Sequence, residues 1–114
     1  MSERNQLVRL LHMRDYARRA TAIAADYGRS DLEQNEMLYL ALTRLLELIG
    51  EAASQVPRHI RANHPDIPWS LIVGMRNHLI HGYDFIDPDI IWDTIANNLP
   101  RLIQQLDHII ETSP

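Results

Sequence analysis

The chain contains no cysteine and no lysine, and phenylalanine occurs once in its 114 residues. Without cysteine there is no disulfide and no zinc site built on thiolates, a composition that is compatible with a reducing compartment. No apolar segment approaches the roughly 20 residues that a membrane-spanning helix needs. The first residues also lack the long apolar stretch of a secretory signal. We therefore expect a cytoplasmic protein without a membrane segment.

The net charge of −4 is unfavourable for binding nucleic acid, but the charges are unevenly placed. Residues 1–29 carry six arginines and three acids, whereas residues 84–114 carry one arginine and six acids. Arg14, Arg18 and Arg19 either guide an anionic ligand or solvate a helix face and pair with acids. The second interpretation is the more usual one for helices.

Apolar and small residues recur every three or four positions along most of the chain, the spacing that places them on one face of a helix. These stripes predict a first helix over residues 7–27 and a second over residues 30–57. Ser30 and Glu33 have the spacing of a capping box at the start of the second helix. Late in that helix, Gly50 and Ala53 permit the close approach of a neighbouring helix.

Proline and glycine mark the boundaries of the remaining elements. The segment 57–68 is predicted to be a connection with at most a short helix. Pro68 is expected to be the first residue of a third helix that ends at Gly82. Asp87 and Pro88 are predicted to be the N-cap and first residue of a fourth helix.

Strand signals are absent, so the expected fold is a single all-α domain, residues 1–114, arranged as an up-and-down four-helix bundle. The fourth helix is predicted to be kinked near Pro100, because a proline within a helix removes one backbone hydrogen bond and clashes with the preceding turn.

The segment 76–83 concentrates polar side chains within two helical turns. It reads Arg76, Asn77, His78, Leu79, Ile80, His81, Gly82, Tyr83. The guanidinium of arginine is planar and always positively charged, and its N–H groups form a fork that suits phosphate. Histidine gains and loses protons near neutral pH. Together they are sufficient for metal-free chemistry on a phosphodiester, and no cofactor is expected.

Arg76, His81 and Tyr83 resemble the signature of HEPN toxins of the HepT type. Other blocks of the chain resemble the same family in the same order: Ile49-Gly50-Glu51-Ala52-Ala53, Ile67-Pro68-Trp69, Gly74-Met75-Arg76-Asn77, Ile86-Asp87 and Leu99-Pro100. The resemblance implies a HEPN-like helical bundle and a ribonuclease toxin. Its partner would be a minimal nucleotidyltransferase antitoxin that attaches AMP units to Tyr83, which would place bulk and negative charge beside Arg76 and His81.

RNA can be cleaved by attack of a ribose 2′-hydroxyl on the adjacent phosphate, which requires a proton carrier and a cation. His81 is the candidate acid or base, because an imidazole ordinarily titrates near pH 6.5, about the pH of the cell. Arg76 is the candidate for the phosphate oxygens, since its fork can donate two parallel hydrogen bonds. Asn77 is expected to orient either partner, and His78 to act as a second proton carrier.

Five residues separate Arg76 from His81, which places them roughly 140° apart around an ideal helix, whereas Asn77 and His81 share a face. The long arginine side chain, a loosened last turn or a second copy of the motif would each bring the groups together. HEPN ribonucleases pair their motifs in a dimer cleft, so the resemblance favours the last and implies a homodimer.

Other interpretations of these residues remain open. Arg76 can simply pair with a carboxylate such as Glu51 or Asp84, and the helix dipole favours a histidine at a helix end. His78 and His81 with Asp84 are a weak metal-site candidate, and no metal is expected. Trp69 and Trp92 are predicted to pack in the core or an interface. The alternative function is a non-catalytic helical partner that presents Tyr83 to a nucleotidyltransferase; a plain dimerisation bundle is a third possibility.

Overall fold

In a computed structural model of the protein, the structure describes the backbone of residues 3–81 and 86–112, with the side chains of residues 7–79 and 86–112. These ranges contain helices and loops and no β-strand, which confirms the all-α prediction. In chain order the elements are α1 (Glu3–Ala24), α2 (Asp31–Gln34), α3 (Glu36–Ser54), α4 (Arg58–Asn63), α5 (Trp69–His81), α6 (Pro88–Asp93), a π-helical turn (Thr94–Asn98) and α7 (Leu99–Thr112).

The core lies between α1, α3 and α7, with α5 packed against α3. Its largest fully buried side chains come from several elements of the chain: Leu10, Met13, Leu42, Val56, Ile67, Ile91, Ile95 and Leu106. The long helices α1, α3, α5 and α7 correspond to the four segments predicted to be helical, although α1 begins before the predicted residue 7. The predicted second helix is divided into α2 and α3, and the short helix α4 lies in the connection that follows. No helix within the described ranges has the length and apolar character needed to cross a membrane.

The prediction that the second helix begins with a capping box at Ser30 is wrong. The Ser30 side chain makes no capping hydrogen bond, and the carboxylate of Asp31 instead accepts from the backbone N–H of Gly28 at 2.7 Å. The helix is interrupted at Asn35, whose backbone is extended. The Oδ1 of Asn35 accepts a hydrogen bond from the N–H of Leu38 at 3.0 Å. Asparagine is among the strongest N-cap residues, so the long helix starts one turn later than the stripe alone predicts.

The connection 57–68 contains only the short helix α4, as predicted. Pro68 lies immediately before α5 rather than within it, and its carbonyl accepts the helical hydrogen bond from the N–H of Ile72 at 3.1 Å. The first helical residue, Trp69, is anchored by its indole Nε1, which donates to the carbonyl of His64 at 3.0 Å. Gly82, the predicted end of this helix, lies outside the described residues.

The start of the last helical segment is confirmed, because the Asp87 side chain accepts from the N–H of Asp89 at 2.9 Å and Pro88 is the first residue of α6. The helix is interrupted where a kink was predicted, by the π-helical turn that ends just before Leu99 and Pro100. Pro100 has no N–H to offer the carbonyl one turn earlier, which releases the preceding turn from the α-helical pattern.

Candidate functional site

The close approach of α5 to α3 is set by Gly50. A Cβ atom placed on Gly50 would lie 2.1 Å from the Cβ of Arg76 and 3.0 Å from the carbonyl oxygen of Ile72. Only a residue without a side chain fits this contact. The interpretation of Gly50 as a point of close helix approach is confirmed, and the residue of α5 that it admits is Arg76.

The guanidinium of Arg76 is held by its own chain. Its Nε and Nη2 donate to Oε2 of Glu51 at 2.9 and 2.5 Å, and its Nη1 donates to Oδ1 of Asn77 at 2.7 Å. An arginine side chain has five N–H donors. The three hydrogen bonds therefore leave one N–H on each terminal nitrogen, and 27% of the side chain remains exposed to solvent.

Both carboxylate oxygens of Glu51 accept hydrogen bonds that hold the side chain in place. Its Oε2 accepts from Arg76, and its Oε1 accepts from Nε2 of Gln55 at 3.1 Å. The hydrogen bond from Arg76, followed by that from Gln55, holds the pKa of the Glu51 carboxyl below its ordinary value of 4.5, and the positive charge of Arg9 acts in the same direction. Glu51 is therefore ionised at neutral pH and orients the Arg76 fork.

The predicted site residues are brought together only in part. Asn77 contacts Arg76, and His78 is exposed on α5. His81 is the last residue of α5, its side chain lies outside the described residues, and so does Tyr83. Since α5 is α-helical through His81, the angle of roughly 140° between Arg76 and His81 applies.

From the sequence, Glu51 was predicted only as a possible carboxylate partner of Arg76. No role was predicted for Gln55 or Arg9. The signal for Glu51 was its position directly after a glycine that permits helix contact. The signal for Gln55 was its spacing of four residues from Glu51, which places both on one helix face. Arg9 comes from another helix, α1, and had no local signal.

Of the three α1 arginines considered as guides for an anion, two pair with an acid instead. Arg14 and Arg18 donate to Asp107 of α7 at 3.4 and 2.9 Å, which supports the interpretation that they pair with acids. Trp69 is 8% exposed and Trp92 packs partly buried against the core, in agreement with their predicted packing roles. Within the described ranges, no three His, Asp or Glu side chains are grouped so that they could hold a metal ion.

The family model for ribonuclease HepT-like proteins matches residues 13–109, a range that includes both α3 and α5. The chain belongs to the HepT-like ribonuclease family. This confirms the resemblance inferred from the motif and its flanking blocks. The matched range of this HepT-like chain also contains Gly50, Glu51, Arg76, His81 and Tyr83.

Several relatives are similar to this chain over more than half of their own length. A protein of Caldanaerobacter subterraneus named "Putative RNase" is 40% identical over 71% of this chain and 72% of its own. Another "Putative RNase", from Methanocaldococcus jannaschii, is 30% identical over 94% of this HepT-like chain and 98% of its own. The "Probable ribonuclease HepT" of Thermococcus cleftensis is 40% identical over 54% and 56%. No solved structure gives a significant match.

Proposed function

We propose that this protein is a metal-independent endoribonuclease, the toxin of a type II toxin–antitoxin pair that acts in the cytoplasm. The observation that carries the proposal is the Arg76 guanidinium, which Glu51 and Asn77 hold at the protein surface with an N–H left on each terminal nitrogen. Two parallel N–H donors are what a phosphate group binds best. Membership of a ribonuclease family supports RNA as the source of that phosphate.

In the proposed reaction, the ribose 2′-oxygen bonds to phosphorus while its proton passes to the neutral imidazole of His81. The bond from phosphorus to the 5′-oxygen breaks, and that oxygen takes a proton from a second, protonated imidazole, for which His78 is the candidate on the same helix. Arg76 stabilises the negative charge that develops on the non-bridging oxygens. The products are a 2′,3′-cyclic phosphate and a 5′-hydroxyl, and no redox step or metal ion is required.

The ion pair with Glu51 prepares Arg76 for this role. A free arginine side chain samples many rotamers, and ordering it costs free energy when substrate binds. Here the hydrogen bonds from Nε and Nη2 to one carboxylate oxygen set the plane of the fork before RNA arrives. Arg9 adds positive charge near the pair, which offsets the negative charge of Glu51.

Arg76 and His81 lie on different sides of α5, so one helix does not direct both at a single phosphate. We propose that a homodimer solves this, with Arg76 of one copy and His81 of the other facing the same phosphate. The angle of roughly 140° between positions 76 and 81 around the axis of α5 supports this arrangement.

Purified, mass-verified unmodified protein is expected to cleave total RNA in the presence of EDTA. Because the proposed chemistry uses only side chains, EDTA should leave the rate unchanged and the products should carry 2′,3′-cyclic phosphate ends, identified by mass spectrometry. His81→Ala should slow cleavage by about 10²- to 10⁴-fold, the usual contribution of a general acid or base. His108→Ala, on α7, is the matched control and should stay close to the unsubstituted protein. Loss of cleavage in EDTA, or full activity in His81→Ala, would exclude this mechanism.

Tyr83 is the proposed site at which a partner minimal nucleotidyltransferase attaches AMP and stops cleavage. Incubation with ATP and the proposed partner, a minimal nucleotidyltransferase, is expected to add AMP to the protein and abolish RNA cleavage. An adenylyl phosphate beside Arg76 would compete with RNA for the fork. Mass spectrometry and a cleavage assay measure the two effects.

The matched pair of variants is Tyr83→Phe and Tyr16→Phe, which remove one phenol each. Tyr83→Phe should escape both modification and inhibition, and Tyr16→Phe should remain sensitive to both. Modification that persists in Tyr83→Phe would place the acceptor elsewhere.

A second candidate function is a non-catalytic partner of a nucleotidyltransferase, for which Arg76 would be a structural residue. The ion pair of Arg76 with Glu51 and the net charge of −4 favour it. Stable complex formation by an unmodified protein that cleaves no RNA would be the result that selects this function.

A further inference from the structure

We propose that Arg58 and Arg61 of α4 form a second anion-binding site that holds backbone phosphates of the RNA substrate beside the Arg76 site. This arginine pair is here called the α4 exosite. The inference rests on the proposed function in that it takes RNA as the substrate. It adds a binding surface at a place that the motif in residues 76–83 does not reach.

The α4 exosite has a defined shape. Arg58 and Arg61 line an open surface cavity of about 680 Å³ together with residues that include Pro65, Pro68 and Trp69. The two arginines are three residues apart on a helix, so they project from neighbouring positions on one face. The cavity therefore receives two positively charged side chains from one helix.

The charge of these two arginines is not balanced by a carboxylate. Elsewhere in the molecule, Arg14 and Arg18 pair with Asp107, and Arg44 pairs with Glu47. Among the residues that the structure describes, neither Arg58 nor Arg61 has an ion pair or a side-chain hydrogen bond. In a chain with a net charge of −4, two adjacent unpaired guanidinium groups form a local positive field.

Arg61 is also held in place. Its Nε is buried and has no hydrogen-bond partner within the described part of the chain. The buried Nε indicates that the stem of Arg61 packs against its neighbours, which restricts the positions that its guanidinium can take. The carboxylate of Asp66, five positions after Arg61, accepts from Nε2 of Gln105 at 3.3 Å.

The α4 exosite is connected to the Arg76 site through α5. Trp69 lines the exosite cavity and begins the helix α5 that carries Arg76. Arg76 follows Trp69 by seven positions, almost two full helical turns, so both positions lie on the same face of α5 and are separated by about 10 Å along its axis. We expect one extended strand to contact both sites.

The chemistry of the α4 exosite favours phosphate over bases. Guanidinium groups donate paired hydrogen bonds to phosphate oxygens. Trp69 is 8% exposed and its Nε1 is already bonded to His64, so it offers no face on which a base can stack. The exosite is expected to bind the RNA backbone without preference for sequence.

The test measures binding of a fluorescently labelled single-stranded RNA by anisotropy over a range of salt concentrations, in a His81→Ala background that prevents cleavage. Replacing both Arg58 and Arg61 with glutamine should weaken binding by about tenfold or more for any RNA sequence, and loss of two phosphate contacts should lower the slope of log K against log salt by about 1.4. The control is Arg29→Gln with Arg44→Gln, which changes the net charge equally at two carboxylate-paired arginines. It should have little effect.

Binding is measured without cleavage, so this result does not depend on catalysis. If the wild-type protein binds RNA through the α4 exosite but cleaves none, the proposed exosite stands and the proposed nuclease activity does not. Thermal melts establish that each variant is folded, and Arg58→Lys with Arg61→Lys should recover most of the salt slope. Unchanged affinity and slope in the Arg58 and Arg61 variant, or an equal loss in the control, would overturn the proposal.

Discussion

Replacing Arg76 with alanine is expected to slow RNA cleavage by about 10²- to 10³-fold, the usual cost of removing one preorganised donor group from a transition state. The fork that Glu51 and Asn77 hold would be lost, together with the two N–H groups proposed for the phosphate. Single-turnover cleavage of a defined RNA at saturating enzyme measures the effect on the chemical step. A rate within a few-fold of the unsubstituted protein would make Arg76 a structural residue.

Two variants separate the charge of Arg76 from its geometry. Arg76→Lys keeps the positive charge but loses the fork, so we expect a rate between those of arginine and alanine. Glu51→Gln keeps an oxygen acceptor but loses the negative charge that orients the fork. Since the pKa of Glu51 is lowered in the folded protein, the ion pair is fully formed at neutral pH and is lost as the pH falls through that lowered pKa. The rates of Glu51→Gln and the unsubstituted protein should therefore differ by a constant factor between pH 6 and 8.

The same variants test the proposed dimer. If Arg76 of one copy acts with His81 of the other, mixing Arg76→Ala with His81→Ala should restore part of the activity that each lacks alone. Each mixed dimer would contain one intact pair and one doubly defective pair. No recovery after confirmed subunit exchange would indicate that both groups act within one chain.

Gly50→Ala is expected to destabilise the protein by about 1–3 kcal/mol, the usual cost of overpacking a tight contact. The added Cβ would stand 2.1 Å from the Cβ of Arg76, a separation that forces α3 and α5 apart. The displacement also moves Arg76 relative to Glu51, so cleavage should fall with stability. Urea unfolding and the cleavage assay measure the two losses.

Gly74→Ala is the matched control on α5. A Cβ at Gly74 meets no atom within 4 Å, so the substitution fills open space. Alanine is favoured over glycine within a helix by roughly 0.5–1 kcal/mol, and Gly74→Ala should therefore stabilise the protein slightly. If both substitutions had the same effect on stability, the contact between Gly50 and Arg76 would not control the approach of the two helices.

Several features of this protein follow from its sequence alone, because they depend on residues that are near each other in the chain. The three-to-four spacing of apolar residues predicted the helical segments, and Asp87 with Pro88 predicted the start of α6. Local signals were less reliable where two competed. Ser30 and Asn35 are both good N-cap residues, and only the structure shows that Asn35 begins the long helix.

The motif and its flanking blocks identified the family, since the order of short segments along the chain is a property of the sequence. The contacts within the site, by contrast, depend on the tertiary structure. Glu51 and Arg76 are separated by 25 positions, and they meet because Gly50 admits the backbone of α5 to the surface of α3. Whether an arginine is paired or free likewise depends on which helices become neighbours, as the contrast between Arg18 and Arg61 illustrates. Periodicity determines which face of a helix is buried, but the partner of that face is decided only when the helices pack.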